Sequence, residues 1–119
     1  MLTFPSVVRV FLAVKPIDMR GSFDALAGHA RRLRLEPTDG HLYVFLNARK
    51  TLMKLIFLDR GGWTLVARRL ERGSFQVPDV AATASYATLD SATLGLILEG
   101  YDLRRAPRRL RFEPKFTSK

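Results

Sequence analysis

The 119-residue chain contains no cysteine, which excludes disulfide bonds and thiolate-ligated zinc. Its two histidines, His29 and His41, leave any metal site to be assembled mainly from carboxylates. Long apolar runs are missing as well, since no stretch approaches the roughly 18 apolar residues of a membrane-spanning helix. Pro5 and Arg9 interrupt the first hydrophobic segment, so it does not read as a secretory leader. A soluble, cytoplasmic protein without membrane association is the expectation. Positive charge is also absent from one long region: residues 73–103 hold no lysine or arginine, only Asp79, Asp90, Glu99 and Asp102.

What is present is charge of one sign elsewhere. Twenty basic residues face eleven acidic ones, a formal net charge of +9. The isoelectric point of about 10.8 lies above the value of about 9 that flags nucleic-acid binders. Arginine supplies fifteen of the twenty basic residues. Its planar fork of donors matches phosphate, so the bias suits phosphate recognition better than solubility alone requires. Hydrophobic residues make up 47% of the chain, enough for the core of one domain.

Residues 7–14 are almost continuously apolar and read as a buried strand ended by Lys15-Pro16. Ser22 offers an N-cap for a helix carrying Phe23, Leu26, Ala27, Ala30 and Leu33 at helical spacing. Arg31, Arg32 and Arg34 crowd its negative C-terminal end, and Pro37-Thr38-Asp39-Gly40 closes it. Residues 42–46, 52–58, 63–70 and 75–77 are short apolar runs separated by tips at 47–50, 60–62 and 71–74. Consecutive antiparallel hairpins explain that pattern. Thr88 then caps a second helix over about residues 89–99, ending at Gly100 and facing the sheet with Leu89, Ala92, Leu96 and Ile97. The fold expected is α+β: an antiparallel meander sheet packed with two helices in a single domain, residues 1–103, followed by a basic C-terminal arm, residues 104–119.

The positive charge gathers in two places. Hairpin tips alternate between the ends of a meander, so Arg49 and Lys50 of the first tip should share an end with Arg72 of the third, beside Arg68 and Arg69. Five cations on one rim repel one another unless an anionic partner screens them. The blander reading is that edge charges discourage sheet-to-sheet aggregation. The second group, Arg104, Arg105, Arg108, Arg109 and Arg111, lies in the arm, which is either a solvated tail or a segment that lies along phosphates. All ten residues are candidate DNA contacts.

Catalytic chemistry finds little support. A metal-dependent nuclease needs converging carboxylates, and Asp18, Asp24, Asp59 and Glu71 follow no ligand spacing. Gly61-Gly62 lies between strands rather than ahead of a helix, and no serine can be matched with a histidine as a nucleophile pair. Tyr43, Phe45, Phe57, Trp63 and Phe75 sit at strand spacing and read as core rather than as base-stacking platforms. The chain is expected to be no enzyme and to need no cofactor or metal.

Several segments together resemble a known family. They are Asp18-Met19-Arg20 with Phe23-Asp24 and Leu26, Gly40-His41-Leu42-Tyr43-Val44-Phe45, Leu70-Glu71-Arg72-Gly73 with Phe75 and Pro78, and Leu98-Glu99-Gly100-Tyr101-Asp102. In this order and spacing they resemble the small accessory proteins called TnpB in bacterial transposons of the insertion sequence 66 group, across residues 5–114. The resemblance implies a protein encoded beside a separate, larger transposase and needed for efficient transposition, without catalytic activity. The expected function is therefore assistance to transposition and DNA recombination by binding DNA, at element ends or elsewhere, and by contacting the transposase. The alternative is an interaction module that meets an acidic region of the transposase or of a host factor without touching DNA. Asp18 and Arg20 carry the motif without a known role, and Arg20 is expected to pair with a carboxylate and fix the turn into the first helix.

Five arginines within residues 104–111 make one expectation measurable. Each phosphate neutralised steepens the dependence of log affinity on log salt by roughly 0.9 for duplex DNA, so replacing Arg104, Arg105, Arg108 and Arg109 with glutamine should flatten that slope by up to about four. Unchanged slope and affinity in a folded variant would make the arm structural.

Overall fold

The computed structural model describes residues 8–81 and 83–100. Its elements are β1 (Arg9–Ala13), α1 (Phe23–Arg32), β2 (Leu42–Leu46), β3 (Leu52–Asp59), β4 (Gly62–Arg69), β5 (Tyr86–Asp90) and α2 (Ser91–Leu98). The strands form one sheet in the order β4-β3-β2-β1-β5. β1 and β2 run parallel and every other neighbouring pair is antiparallel, so the fold is α+β. The proposed arm lies outside the described residues.

The central strand explains the layers. All five residues of β2, Leu-Tyr-Val-Phe-Leu, are buried, so both faces of the sheet must be covered there. On one face Leu26, Ala27 and Ala30 of α1 pack with Ala13, Tyr43, Phe45 and Ile56. On the other, Leu94 and Ile97 of α2 and Phe75 pack with Val10, Leu12, Leu42, Val44, Met53 and Leu55. A parallel pair needs a crossover, and α1 is that crossover from β1 to β2.

The ends of α1 follow from local chemistry. Ser22 occupies the N-cap position and its carbonyl accepts from Leu26 N–H at 3.0 Å, but its side chain makes no capping bond. At the other end Leu35 N–H donates to Ala30 O and Arg34 N–H to Arg31 O, while Arg34 adopts φ 65°. That pair of bonds closes the helix in a Schellman motif, with arginine in the left-handed position glycine usually takes. The β3–β4 turn is tighter than its Arg60-Gly61-Gly62 sequence suggests, because Asp59 pairs with Gly62. Arg60 and Gly61 alone form the loop, at φ 54° and 79°, as a two-residue hairpin of primed type requires.

Two expectations are corrected. Residues 75–77 form no strand; Phe75 is nevertheless 1% exposed and enters the core from a loop, anchored by its N–H on Lys50 O at 2.7 Å. The second helix begins later than Thr88 suggests, because residues 86–90 are β5, paired with β1 from Arg9↔Asp90 to Ala13↔Tyr86. That pairing satisfies the otherwise open edge of β1. Asp90 then caps α2, its Oδ1 accepting from Thr93 N–H at 2.8 Å. With the helix so placed, its buried residues are Thr93, Leu94 and Ile97, while Ala92 is exposed and Leu96 half-buried.

The cap distinguishes the two positions by experiment. Asp90→Ala should lower unfolding free energy by about 1 kcal/mol or somewhat more, since the residue is buried, whereas Thr88→Ala at an exposed strand position should change it by less than about 0.5 kcal/mol. Urea denaturation reads both, and equal losses would contradict the assignment.

Candidate nucleic-acid interface

The sheet register assembles the basic corner. Leu52 pairs with Arg69 and Met53 with Arg68, so β4 ends beside the start of β3, next to the β2–β3 tip. Leu70 N–H donates to Thr51 O at 2.9 Å and Phe75 N–H to Lys50 O at 2.7 Å, which holds residues 70–75 against the tip. Arg49, Lys50, Arg68, Arg69 and Arg72 therefore occupy one end of the sheet, and all five are exposed. Successive strand residues point to opposite faces, so Arg68 shares the face of Met53 and Arg69 that of Leu52. The cations straddle the sheet end instead of lining one face. Glu71 is the acidic residue within this corner.

Asn47 makes the tip rigid. Its Oδ1 accepts from Thr51 N–H at 2.9 Å and Leu52 N–H at 3.0 Å, and its Nδ2 donates to Thr51 Oγ1 at 3.0 Å. Lys50 N–H donates to Asn47 O at 3.0 Å, and Lys50 adopts φ 58°. One asparagine side chain thus satisfies the groups that a short loop would leave open and presents Arg49 and Lys50 on a fixed backbone. The signal for this role in the sequence is an asparagine opening a short tip between two apolar runs.

No ion pair among the described residues reaches a corner cation. Among the described residues the two ion pairs are Arg20–Asp18 at 2.6 Å and Arg31–Glu36 at 3.8 Å, and neither uses a corner cation. The strand order sets β4 and β5 at opposite edges, so Arg68 and Arg69 stand across the sheet from Asp90 at the end of β5. Arg104, Arg105, Arg108, Arg109 and Arg111 lie outside the described residues.

Several other polar groups have structural partners. Arg20 bonds both Asp18 oxygens through Nε and Nη2, and Arg20 N–H donates to Asp18 Oδ1 at 3.0 Å, in a turn ahead of α1. Lys54, unremarked in sequence because it interrupts an apolar strand, donates its Nζ to Met19 O at 2.5 Å and Gly21 O at 3.0 Å. It ties that same turn to the sheet. The buried Tyr43 hydroxyl lies 2.7 Å from Asp39 Oδ2 and 2.8 Å from Glu36 O, donating to one of these acceptors at a time. Burial, then the Asp39 carboxylate, raise its ionisation well above the usual tyrosine range. Arg9 N–H donates to His41 Nδ1 at 3.0 Å.

The carboxylates considered for metal chemistry are dispersed. Asp59 ends β3 at the Arg60-Gly61 turn, while Glu71 follows β4 at the opposite end, a separation of roughly 25 Å along eight strand residues. Asp24 is exposed in the first turn of α1. Among the described residues no three of His, Asp and Glu are grouped to hold a metal ion, and no helix is long and apolar enough to cross a membrane.

With this geometry in place, comparison with known proteins gives a family. Residues 8–108 match the family described as IS66 Orf2 like protein, and the chain belongs to that family. It is a family of transposon accessory proteins and not a known catalytic family. Two relatives come from Sinorhizobium fredii (strain NBRC 101917 / NGR234). The chain is 38% identical to uncharacterized protein y4hO over 98 residues, covering 82% of the chain and 84% of the relative. It is 30% identical to uncharacterized protein y4jC over 105 residues, 86% of each. No solved structure matches.

The Asp18–Arg20 pair carries a pH signature. The Arg20 side chain, and then its backbone N–H, hold the Asp18 carboxyl down at about 2. The folded value lies below that of a free aspartate, roughly 3.9, so the stabilisation is present above that value and is lost as pH falls towards 2. Arg20→Gln should return the Asp18 carboxyl towards the free value in a carbon-detected NMR titration; an unchanged midpoint would show that Arg20 is not the cause.

Proposed function

We propose that this protein assists transposition by binding DNA directly, through the corner formed by Arg49, Lys50, Arg68, Arg69 and Arg72. The observation that carries this reading is a rigid tip and a neighbouring strand end that set five exposed cations together, with no ion pair to them among the described residues. Such a cluster raises the folding free energy through self-repulsion, and phosphates offset it while releasing counterions. Cations on both faces of one sheet end suit contact with a backbone that wraps the corner. The far edge, β5, carries no lysine or arginine, which orients the approach. Contact with the transposase, at that edge, is compatible with the same orientation. Positioning of DNA, not chemistry upon it, is the contribution proposed.

Titration of element-end duplex and of random duplex at several salt concentrations tests this. Arg49→Gln with Arg72→Gln should weaken binding to both and flatten the salt slope by up to about 1.8, at roughly 0.9 per phosphate contact. Loss at every sequence alike would mark the corner as a backbone contact. Binding that is unaffected by the substitutions, in a protein that still engages the transposase, would transfer the role to an acidic protein partner.

A further inference from the structure

A cleft of about 530 Å³ opens on the α1 side of the sheet. That is within the range of roughly 300–1,000 Å³ common for small-ligand sites. Lys15, His29 and Arg32 bring positive or polar groups to it, while Ile17, Leu33 and Phe45 give it an apolar wall; among the described residues no carboxylate lines it. Its sides are pinned by the backbone: Ile17 N–H donates to Leu46 O at 3.1 Å, and Val14 N–H to Ser85 O at 3.0 Å. Arg32 Nη1 donates to His29 Nδ1 at 3.3 Å, and the His29 ring stands 6.1 Å from the Phe45 ring. Neither Lys15 nor Arg32 belongs to an ion pair among the described residues.

The position of the cleft matters as much as its lining. β1 and β2 run parallel in the register Leu12↔Val44, so Lys15 emerges at the end of the sheet where β2 passes into the tip of Arg49 and Lys50. Cations at the mouth and an apolar wall within suit an anionic group joined to a flat, weakly polar body, which is the chemistry of a nucleotide. Resting on the reading of the basic corner as a DNA contact, we infer that this cleft receives one unpaired nucleotide of a DNA strand. Its phosphate lies against Lys15 and Arg32 and its base against Ile17 and Leu33. The protein thereby distinguishes unpaired strand from intact duplex, which the corner alone, reading backbone charge, does not.

The test uses the full chain with three probes: a short oligothymidylate, a blunt duplex and thymidine monophosphate. The variants are Lys15→Ala with Arg32→Ala, and Thr83→Trp, which narrows the cleft from an exposed position without changing charge. The double variant should weaken oligothymidylate binding about tenfold and flatten its salt slope by about 1.4, at roughly 0.7 per phosphate of a single strand, with duplex affinity within about twofold. Thr83→Trp, with circular dichroism confirming its fold, should weaken the oligothymidylate alone. Equal losses on single strand and duplex, or oligothymidylate binding that survives both variants, would overturn the inference. So would thymidine monophosphate that binds as tightly as the oligomer, because the cleft would then serve a free nucleotide. A protein that binds no duplex yet shows the selective single-strand losses would overturn the corner reading and leave the cleft standing.

Discussion

Everything in this fold depends on a strand that cannot touch water on either side. Each residue of β2 is buried, and a five-residue strand rich in aromatic and branched side chains is stable only with a layer above and a layer below. The crossover helix α1 supplies one layer. The other is assembled from the eight-residue α2 and the loop residue Phe75. Burial on this scale, about 25 cal/mol per Å² of apolar surface, outweighs the modest preferences of the individual segments.

The same constraint fixes the electrostatics. Holding Phe75 in the core requires the chain after β4 to turn back across the tip, and the Phe75 N–H to Lys50 O bond marks that return. Arg72 is carried to Arg49 and Lys50 as a consequence. Placing β5 against β1, on the far edge, sends Asp90 away from that corner. A core requirement and a topological one thus set the basic corner and Asp90 at opposite edges of the sheet. Membership of the IS66 Orf2-like family sets this separation in a transposon accessory protein.

Local patterns in the sequence were enough for β2, β3, β4 and α1, whose apolar periodicity and turn residues agree with their tertiary surroundings. They failed where distant residues decide. Thr88 and Asp90 are both capping residue types, and only the pairing of residues 86–90 with β1, nearly eighty positions earlier, selects Asp90. Residues 75–77 resemble a strand because a buried loop anchor and a buried strand look alike over three residues. At the candidate interface, the grouping of Arg49, Lys50 and Arg72 was legible from the alternation of hairpin tips, although the third tip is a wrapped loop. The Lys54 tether was not, since it depends on carbonyls more than thirty residues away, whereas the Asn47 brace is local and its one signal is an asparagine opening a short tip.

The central claim is that the basic corner itself meets DNA. Amide chemical-shift mapping of isotope-labelled protein with an element-end duplex examines it most directly. Perturbations concentrated at residues 47–51 and 68–72, fading as salt is raised, are the predicted result. Perturbations confined to β5 and α2, or none at low salt where binding is strongest, would contradict it.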